Sequence, residues 1–212
     1  MNKLFFTITA IIILNIFPLV FKPQLIVDYK IIIVIIEGLC IWLTQPGFSI
    51  SETKENQKTD RLSILFILLA SSLSVVSAEI EWAYFNITLV QPSFLFFCGI
   101  GMIIIGISLR VWAIYSLGKH FTATVRINKE HQLIQSGPYA IIRHPSYTGA
   151  FLAITGVSFL LNAKMSIFIS VTIMFIVYYM RIKSEEKLLI SYFGNRYEDY
   201  AKNKKKLFPY VW

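Results

Sequence analysis

Apolar runs separated by short polar stretches occupy almost the whole 212-residue chain. A membrane-crossing helix needs ~20 apolar residues, and shorter runs serve where helices pair as hairpins or the bilayer thins. On that scale the pattern predicts spans near residues 4–21, 26–44, 62–78, 93–117, 147–161 and 164–182. The last two are short and only Asn162-Ala163-Lys164 parts them, which predicts a tight helical hairpin. The fold class is therefore all-α: a polytopic integral membrane protein of five to six transmembrane helices, the number depending on how the hairpin counts. Beyond residue 182, Leu188, Leu189, Tyr192 and Phe193 recur at helical spacing, so the chain continues as an interfacial helix until Gly194. Tyr197, Tyr200 and Trp212 suit an interfacial belt, and Glu79 and Glu81 read as the solvated end of a loop over 79–91. Gly99, Gly101 and Gly106 in the fourth span read as close-packing positions rather than a phosphate loop.

Composition supports this pattern. A hydrophobic content of 56%, a charged content of 15% and a mean hydropathy of +0.62 exclude an ordinary soluble domain. The net charge of +8 sits beside the spans, where it fits anionic lipid headgroups, and no nucleic-acid partner is expected. Cys40 and Cys98 lie inside apolar runs, so no disulfide framework is expected. His120, His131 and His144 lack partner cysteines at ligand spacing, so no metal is expected either. Met1 to Leu19 shows no small-x-small cleavage site and reads as a retained first span. The sequence carries no signal for an oligomeric state.

Lysine and arginine set the orientation, because cytoplasmic loops collect them. Residues 50–61 hold Lys54, Lys58 and Arg61, whereas residues 79–91 hold neither residue type. Alternation then puts the loop 118–146 and the tail 183–212 on the cytoplasmic side together, with Lys22 and Lys30 dissenting mildly. The setting is a bacterial cell membrane, or the endoplasmic reticulum in a eukaryote.

Between the spans one stretch concentrates chemistry: Gly137-Pro138-Tyr139-Ala140-Ile141-Ile142-Arg143-His144-Pro145-Ser146-Tyr147-Thr148-Gly149. Two prolines bias the residues before them away from helical geometry, which makes the stretch a shaped loop. Arg143 supplies a fixed cation and His144 a titratable ring. Taken singly, each is as readily an interfacial arginine or a histidine tied to a carbonyl. Glu185 and Glu186 follow Arg181 by one helical turn, which puts at least one carboxylate on that arginine's face. Alone this is a solvated acidic pair; beside the loop it supplies both charges that an amino-acid-like ligand needs. Glu37 lies within the second span, where it either contacts a substrate path or is satisfied by a neighbouring helix.

The string Gly137-Pro-Tyr-x-x-x-Arg-His-Pro-x-Tyr-x-Gly149 resembles the signature of the isoprenylcysteine carboxyl methyltransferases and the related phospholipid methyltransferases. Leu117-Gly118-Lys119-His120-Phe121-Thr122, the lead-in His131-Gln132-Leu133-Ile134-Gln135-Ser136, and Arg181 with Glu185-Glu186 and Phe193-Gly194-x-x-Tyr197-x-x-Tyr200 match the family in order, over roughly 95–210. The resemblance implies two parts: residues 1–92, three spans on the acceptor side, and residues 93–212, a methyltransferase core with the cofactor loop at 118–149, the hairpin at 147–182 and the interfacial helix. It implies S-adenosylmethionine as cofactor, leaving as S-adenosylhomocysteine, and a lipidic or prenylated acceptor reached through membrane lipid. Carried over residue by residue, His144, Pro145, Tyr147 and Gly149 line the cofactor site, with Tyr139, Gly137 and His131 beside them and Val125 and Leu133 as apolar walls. Glu185 or Glu186 holds the ammonium or ribose hydroxyls, and Arg143 or Arg181 pairs with a carboxylate. Arg143, Arg181 and Glu186 are the expected catalytic set. An NADPH-dependent sterol or enone reductase, whose loop is similar, and a lipid-binding membrane scaffold are the competing readings.

Overall fold

The computed structural model describes residues 3–45, 57–85, 93–121 and 132–209. Among them lie seven α-helices: α1 (Lys3–Ile16), α2 (Tyr29–Leu43), α3 (Gln57–Phe85), α4 (Phe94–Leu117), α5 (Pro145–Leu160), α6 (Lys164–Phe193) and α7 (Asn195–Asn203). Short 3₁₀ turns join several of them. The only β pairing among the described residues is one parallel bridge between Ile142 and Lys205. Three helices are long and apolar enough to cross a membrane, over Leu62–Phe85, Phe94–Leu117 and Lys164–Phe193. Their outer faces carry Leu69, Leu73, Ile104, Ile105, Phe168 and Ile176 exposed, as a lipid-facing surface requires.

Local chemistry sets the helix ends. Asp28 caps α2 by accepting from the Lys30 amide at 2.8 Å, and Ser93 caps α4 by accepting from the Phe96 amide at 3.2 Å. α5 opens on Pro145, whose missing N–H costs nothing at a first turn. α6 ends at Gly194 with φ +53°, a left-handed stop that favours glycine.

α5 is the centre of the bundle. Its residues Ala150, Ala153, Ile154, Val157 and Leu160 are all buried, and they join two apolar clusters. One cluster gathers Leu19, Ile31, Val34, Trp82 and Ile103; the other gathers Ile41, Ala70, Met174, Tyr178 and Ile182. The short 147–161 run is thus a helix enclosed by protein rather than a lipid-facing span. Its approach to α4 depends on missing side chains. A Cβ at Gly99 would stand 2.3 Å from the Leu160 nitrogen, and one at Gly106 would stand 2.6 Å from the Ala153 nitrogen and Gly149 oxygen. Gly101, expected to do the same, faces open space. Close backbone approach through small residues is how helices pack where no hydrophobic effect pulls them together.

Two further expectations are corrected. Residues 79–85 are not a loop, because α3 runs on to Phe85 with Trp82 and Ala83 buried. Glu79 is consequently fully buried, and Glu81 accepts from the Met165 amide (3.1 Å), the Ser166 amide (2.7 Å) and the Ser166 hydroxyl (2.8 Å). Glu81 so caps the start of α6, whose first N–H groups have no partner within the helix. Tyr197 and Tyr200 do not form an interfacial belt: both are buried, Tyr200 against the Tyr139 carbonyl of the signature loop and Tyr197 against Glu186, and Trp212 lies outside the described residues. The dissenting lysines also find a physical reason. Lys22 stacks over Tyr84 and Lys30 over Tyr29 and Trp82, so aromatic faces hold both charges at the end of the bundle away from the loop.

Gly106→Leu should lower stability by about 1–3 kcal/mol, as overpacking against backbone does, whereas Gly101→Ala should leave it unchanged; thermal unfolding in detergent, followed by monodispersity, reads both.

Candidate functional site

The loop meets the end of α6 because the chain returns to it. After α7, residues 204–209 run back along the loop: the Arg143 amide donates to the Lys205 carbonyl (2.9 Å), the His144 amide to the Lys206 carbonyl (3.0 Å) and the Thr148 hydroxyl to the Leu207 carbonyl (2.8 Å). Leu207 is fully buried and Phe208 meets the Phe151 ring edge-on at 5.7 Å, so this strap is pinned by core packing as well. From the other side, the Tyr200 hydroxyl donates to the Tyr139 carbonyl at 2.8 Å. Burial pushes the Tyr200 hydroxyl up to about 12, and burial raises Tyr139 and Tyr197 further still, so all three are neutral at physiological pH.

Glu186 is the meeting point. Its Oε1 lies 3.2 Å from Arg143 Nη1 and 3.2 Å from His144 Nε2 and accepts from the Tyr197 hydroxyl at 3.4 Å; its Oε2 lies 3.2 Å from Lys206 Nζ. One largely buried carboxylate therefore gathers the loop, α6, α7 and the strap. Arg143 also has a buried Nε–H with no hydrogen-bond partner, and it lines a cavity of about 280 Å³ together with residues 201–206.

Glu185, one residue earlier, points elsewhere, since successive helical residues are ~100° apart. It accepts from the Tyr147 hydroxyl at 2.6 Å, and Arg181 Nε donates to that same hydroxyl at 3.2 Å. Arg181 is buried and Nη1 donates to the Ser63 hydroxyl on α3 at 2.7 Å. Tyr147 is stacked between His144 (5.8 Å) and Tyr178 (5.2 Å), which links the two carboxylate clusters through an aromatic column.

The structure thus brings Arg143, His144 and Glu186 into one contact set, and Tyr147, Arg181 and Glu185 into a second one beside it. Pro145 starts α5 between them, and Tyr139 is held by Tyr200. Gly149 instead faces α4, where a Cβ would stand 2.5 Å from the Gly106 oxygen, so its place is in the helix packing. Gly137 sits at φ +60°, and a Cβ there would stand 2.7 Å from the Ser116 hydroxyl. Leu133 lies half-buried in the segment leading to the loop, and Val125 and His131 lie outside the described residues. Sequence reading missed Lys206, Tyr197, Ser63 and Arg110. Arg110 had a signal, as an ionisable residue inside an apolar span. Lys206 had none, because only the course of the strap, which brings its Nζ to Glu186, singles it out from Lys204 and Lys205.

Residues 99–191 match the family model of the isoprenylcysteine carboxyl methyltransferase (ICMT) family. A probable protein-S-isoprenylcysteine O-methyltransferase of Oryza sativa subsp. indica is 32% identical over 120 residues, covering 56% of this chain and 63% of that protein. The Schizosaccharomyces pombe protein-S-isoprenylcysteine O-methyltransferase is 36% identical over 105 residues (49% of this chain, 44% of that protein), and that of Rattus norvegicus is 33% identical over 149 residues (68% and 52%). The chain thus spans less than two thirds of the length of each of these relatives. Among solved structures, the eukaryotic intramembrane Ras methyltransferase ICMT superposes with a TM-score of 0.67 at 26% identity, over 96% of this chain and 74% of that one. The loop motif and the Arg181–Glu186 part of the tail motif fall within the residues that match the family model, and the Phe193–Tyr200 part lies beyond them.

Glu186→Gln removes the charge that Arg143 and Lys206 share. Hydrogen bonds to charged groups contribute about 1.5–3 kcal/mol, so the strap should open about tenfold more often, read as faster tryptic cleavage after Lys204 and Lys205.

Proposed function

We propose that this protein is a membrane methyltransferase that uses S-adenosylmethionine to methylate a lipid-bearing acceptor, with the carboxylate of a prenylated cysteine as the acceptor class. The observation that carries the reading is the contact of Arg143 and His144 with Glu186 at 3.2 Å, which joins the middle of the segment that matches the family to its C-terminal end. The residues present fit such a cofactor. It bears an ammonium, a carboxylate and a sulfonium, and here two carboxylates stand within one helical turn of each other while Arg143 offers a buried N–H without a partner beside a cavity. In this reading Glu185 and Glu186 hold the cationic part, and Arg143 the carboxylate. Tyr139, His144 and Tyr147 shape the walls, with the 118–149 segment as the cofactor loop.

When bound, S-adenosylmethionine supplies a methyl group on a sulfonium, which is already a strong electrophile. The protein's work is then alignment and exclusion of water rather than proton transfer. A carboxylate acceptor is ionised at neutral pH and needs no base. Arg181 is placed to orient it: a guanidinium can hold a carboxylate in one plane with two parallel bonds, and the Tyr147 hydroxyl and Ser63 already fix this one's direction. His144 acts as a positioner of Glu186. The acceptor's apolar tail lies in lipid or against the helices of residues 1–92 while its head reaches the site at the membrane surface. The cytoplasmic side is assigned by the lysine and arginine distribution of the loop and tail.

Purified protein should bind S-adenosylhomocysteine by calorimetry, and the double variant Glu185→Gln, Glu186→Gln should bind at least about tenfold more weakly, as expected for two lost charge-assisted bonds. Methyl-labelled S-adenosylmethionine should label an N-acetylated S-prenylcysteine but not its carboxamide. Folded protein that gives no heat with S-adenosylhomocysteine would sink the cofactor assignment; labelling of the carboxamide would sink the acceptor assignment alone.

A further inference from the structure

Arg110 stands apart from the two carboxylate clusters. It lies on α4, seven residues before Leu117, which is about 10 Å down the helix from its end at 1.5 Å per residue. Its side chain is buried, and a charge at that depth persists only where protein groups replace its water. They come from two elements, the end of α2 and the first turn of α5. Nε donates to the Thr44 hydroxyl at 2.8 Å, and Nη1 donates to both the carbonyl (3.3 Å) and the hydroxyl (3.1 Å) of Ser146.

Each partner has a meaning in the fold. Thr44 is the C-cap of α2 and donates to the Cys40 and Ile41 carbonyls at 2.8 Å, so the guanidinium sits where the dipole of α2 is negative. Ser146 is the residue between Pro145 and Tyr147, in the first turn of α5. That turn aims His144 at Glu186 on one side and Tyr147 at Glu185 on the other. The backbone cannot yield there either, because Gly149 meets the Arg110 amide so closely that a Cβ would stand 2.7 Å away. A single planar fork therefore bridges the end of an N-terminal helix and the turn that carries the signature.

We propose that Arg110 is a positioning residue: it holds the His144–Tyr147 turn in the geometry that binds the cofactor, and makes that geometry depend on the seating of α2. The inference rests on the cofactor reading above. Lysine cannot replace it, because an ammonium is a point donor on a flexible stem and does not span Thr44 and Ser146 in one plane. The consequence is linkage: anything that moves the end of α2, an acceptor tail lodged among residues 1–92 included, changes cofactor affinity, and the reverse holds by reciprocity.

A double-mutant cycle in detergent or nanodiscs tests it, with S-adenosylhomocysteine as the probe and thermal unfolding as the check on folding. Thr44→Val lies on α2, outside the residues proposed to hold the cofactor. It should weaken binding about 3- to 10-fold in the native background and have no further effect beside Arg110→Lys, the signature of two groups acting through one another. Should Arg110→Lys fail to fold, Ser146→Ala is the second background, with the same expectation of non-additive loss. A purely structural guanidinium gives the opposite result: Thr44→Val lowers the unfolding temperature while affinity stays as in the native protein, and that overturns the proposal. Equal losses in both backgrounds overturn it too. Native protein that binds no S-adenosylhomocysteine overturns the cofactor reading beneath it, and this inference with it.

Discussion

A carboxylate taken largely out of water must be neutralised where it stands, and Glu186 shows what that constraint organises. Arg143 and His144 come to it from the loop, Lys206 from the strap and Tyr197 from α7. None of these segments has a large apolar core of its own. They hold a common position because one charge needs them all, and because Leu207 and Phe208 anchor the strap in the bundle. The polar end of the molecule is thus assembled around an ion cluster, while the rest is assembled by packing.

That packing supplies the site's precision. α5 is surrounded by α2, α3, α4 and α6, and it is seated against α4 by Gly99, Gly106, Gly149 and Gly156, where backbone meets backbone. A helix so enclosed has little room to rotate, and its first turn carries the signature residues. Enclosure also explains why a run of 16 residues suffices: α5 needs to fill a protein interior, not to cross the hydrocarbon by itself.

The two carboxylates are divided between two tasks. Glu186 joins the loop to the strap, whereas Glu185 faces Arg181 and Tyr147 at the top of the spanning helices. The stacked rings of His144 and Tyr147, one on each carboxylate, connect the two clusters.

The sequence by itself determined the class of molecule. Apolar run lengths predict membrane helices, prolines and glycines punctuate them, and the ordered motifs of loop and tail carry a family resemblance, because each is a local property that needs no knowledge of the fold. The pairing of Arg181 with Glu185's face was legible for the same reason, being one turn of helix. What tertiary structure decided is everything that depends on distance in space across distance in sequence. Glu79 and Glu81 read as solvated because nothing local reveals that α3 continues and that the start of α6 needs a cap. Tyr197 and Tyr200 read as interfacial because an aromatic ring with a hydroxyl suits a membrane surface and a buried carboxylate equally. Lys206 is indistinguishable from its neighbours until the fold of the strap carries its ammonium to Glu186, and Arg110 gains its role only from Thr44 and Ser146, which lie 66 and 36 residues away. Electrostatic and hydrogen-bonding partners are chosen by the packed arrangement, since a charge leaves water only where the fold has already placed its counter-groups.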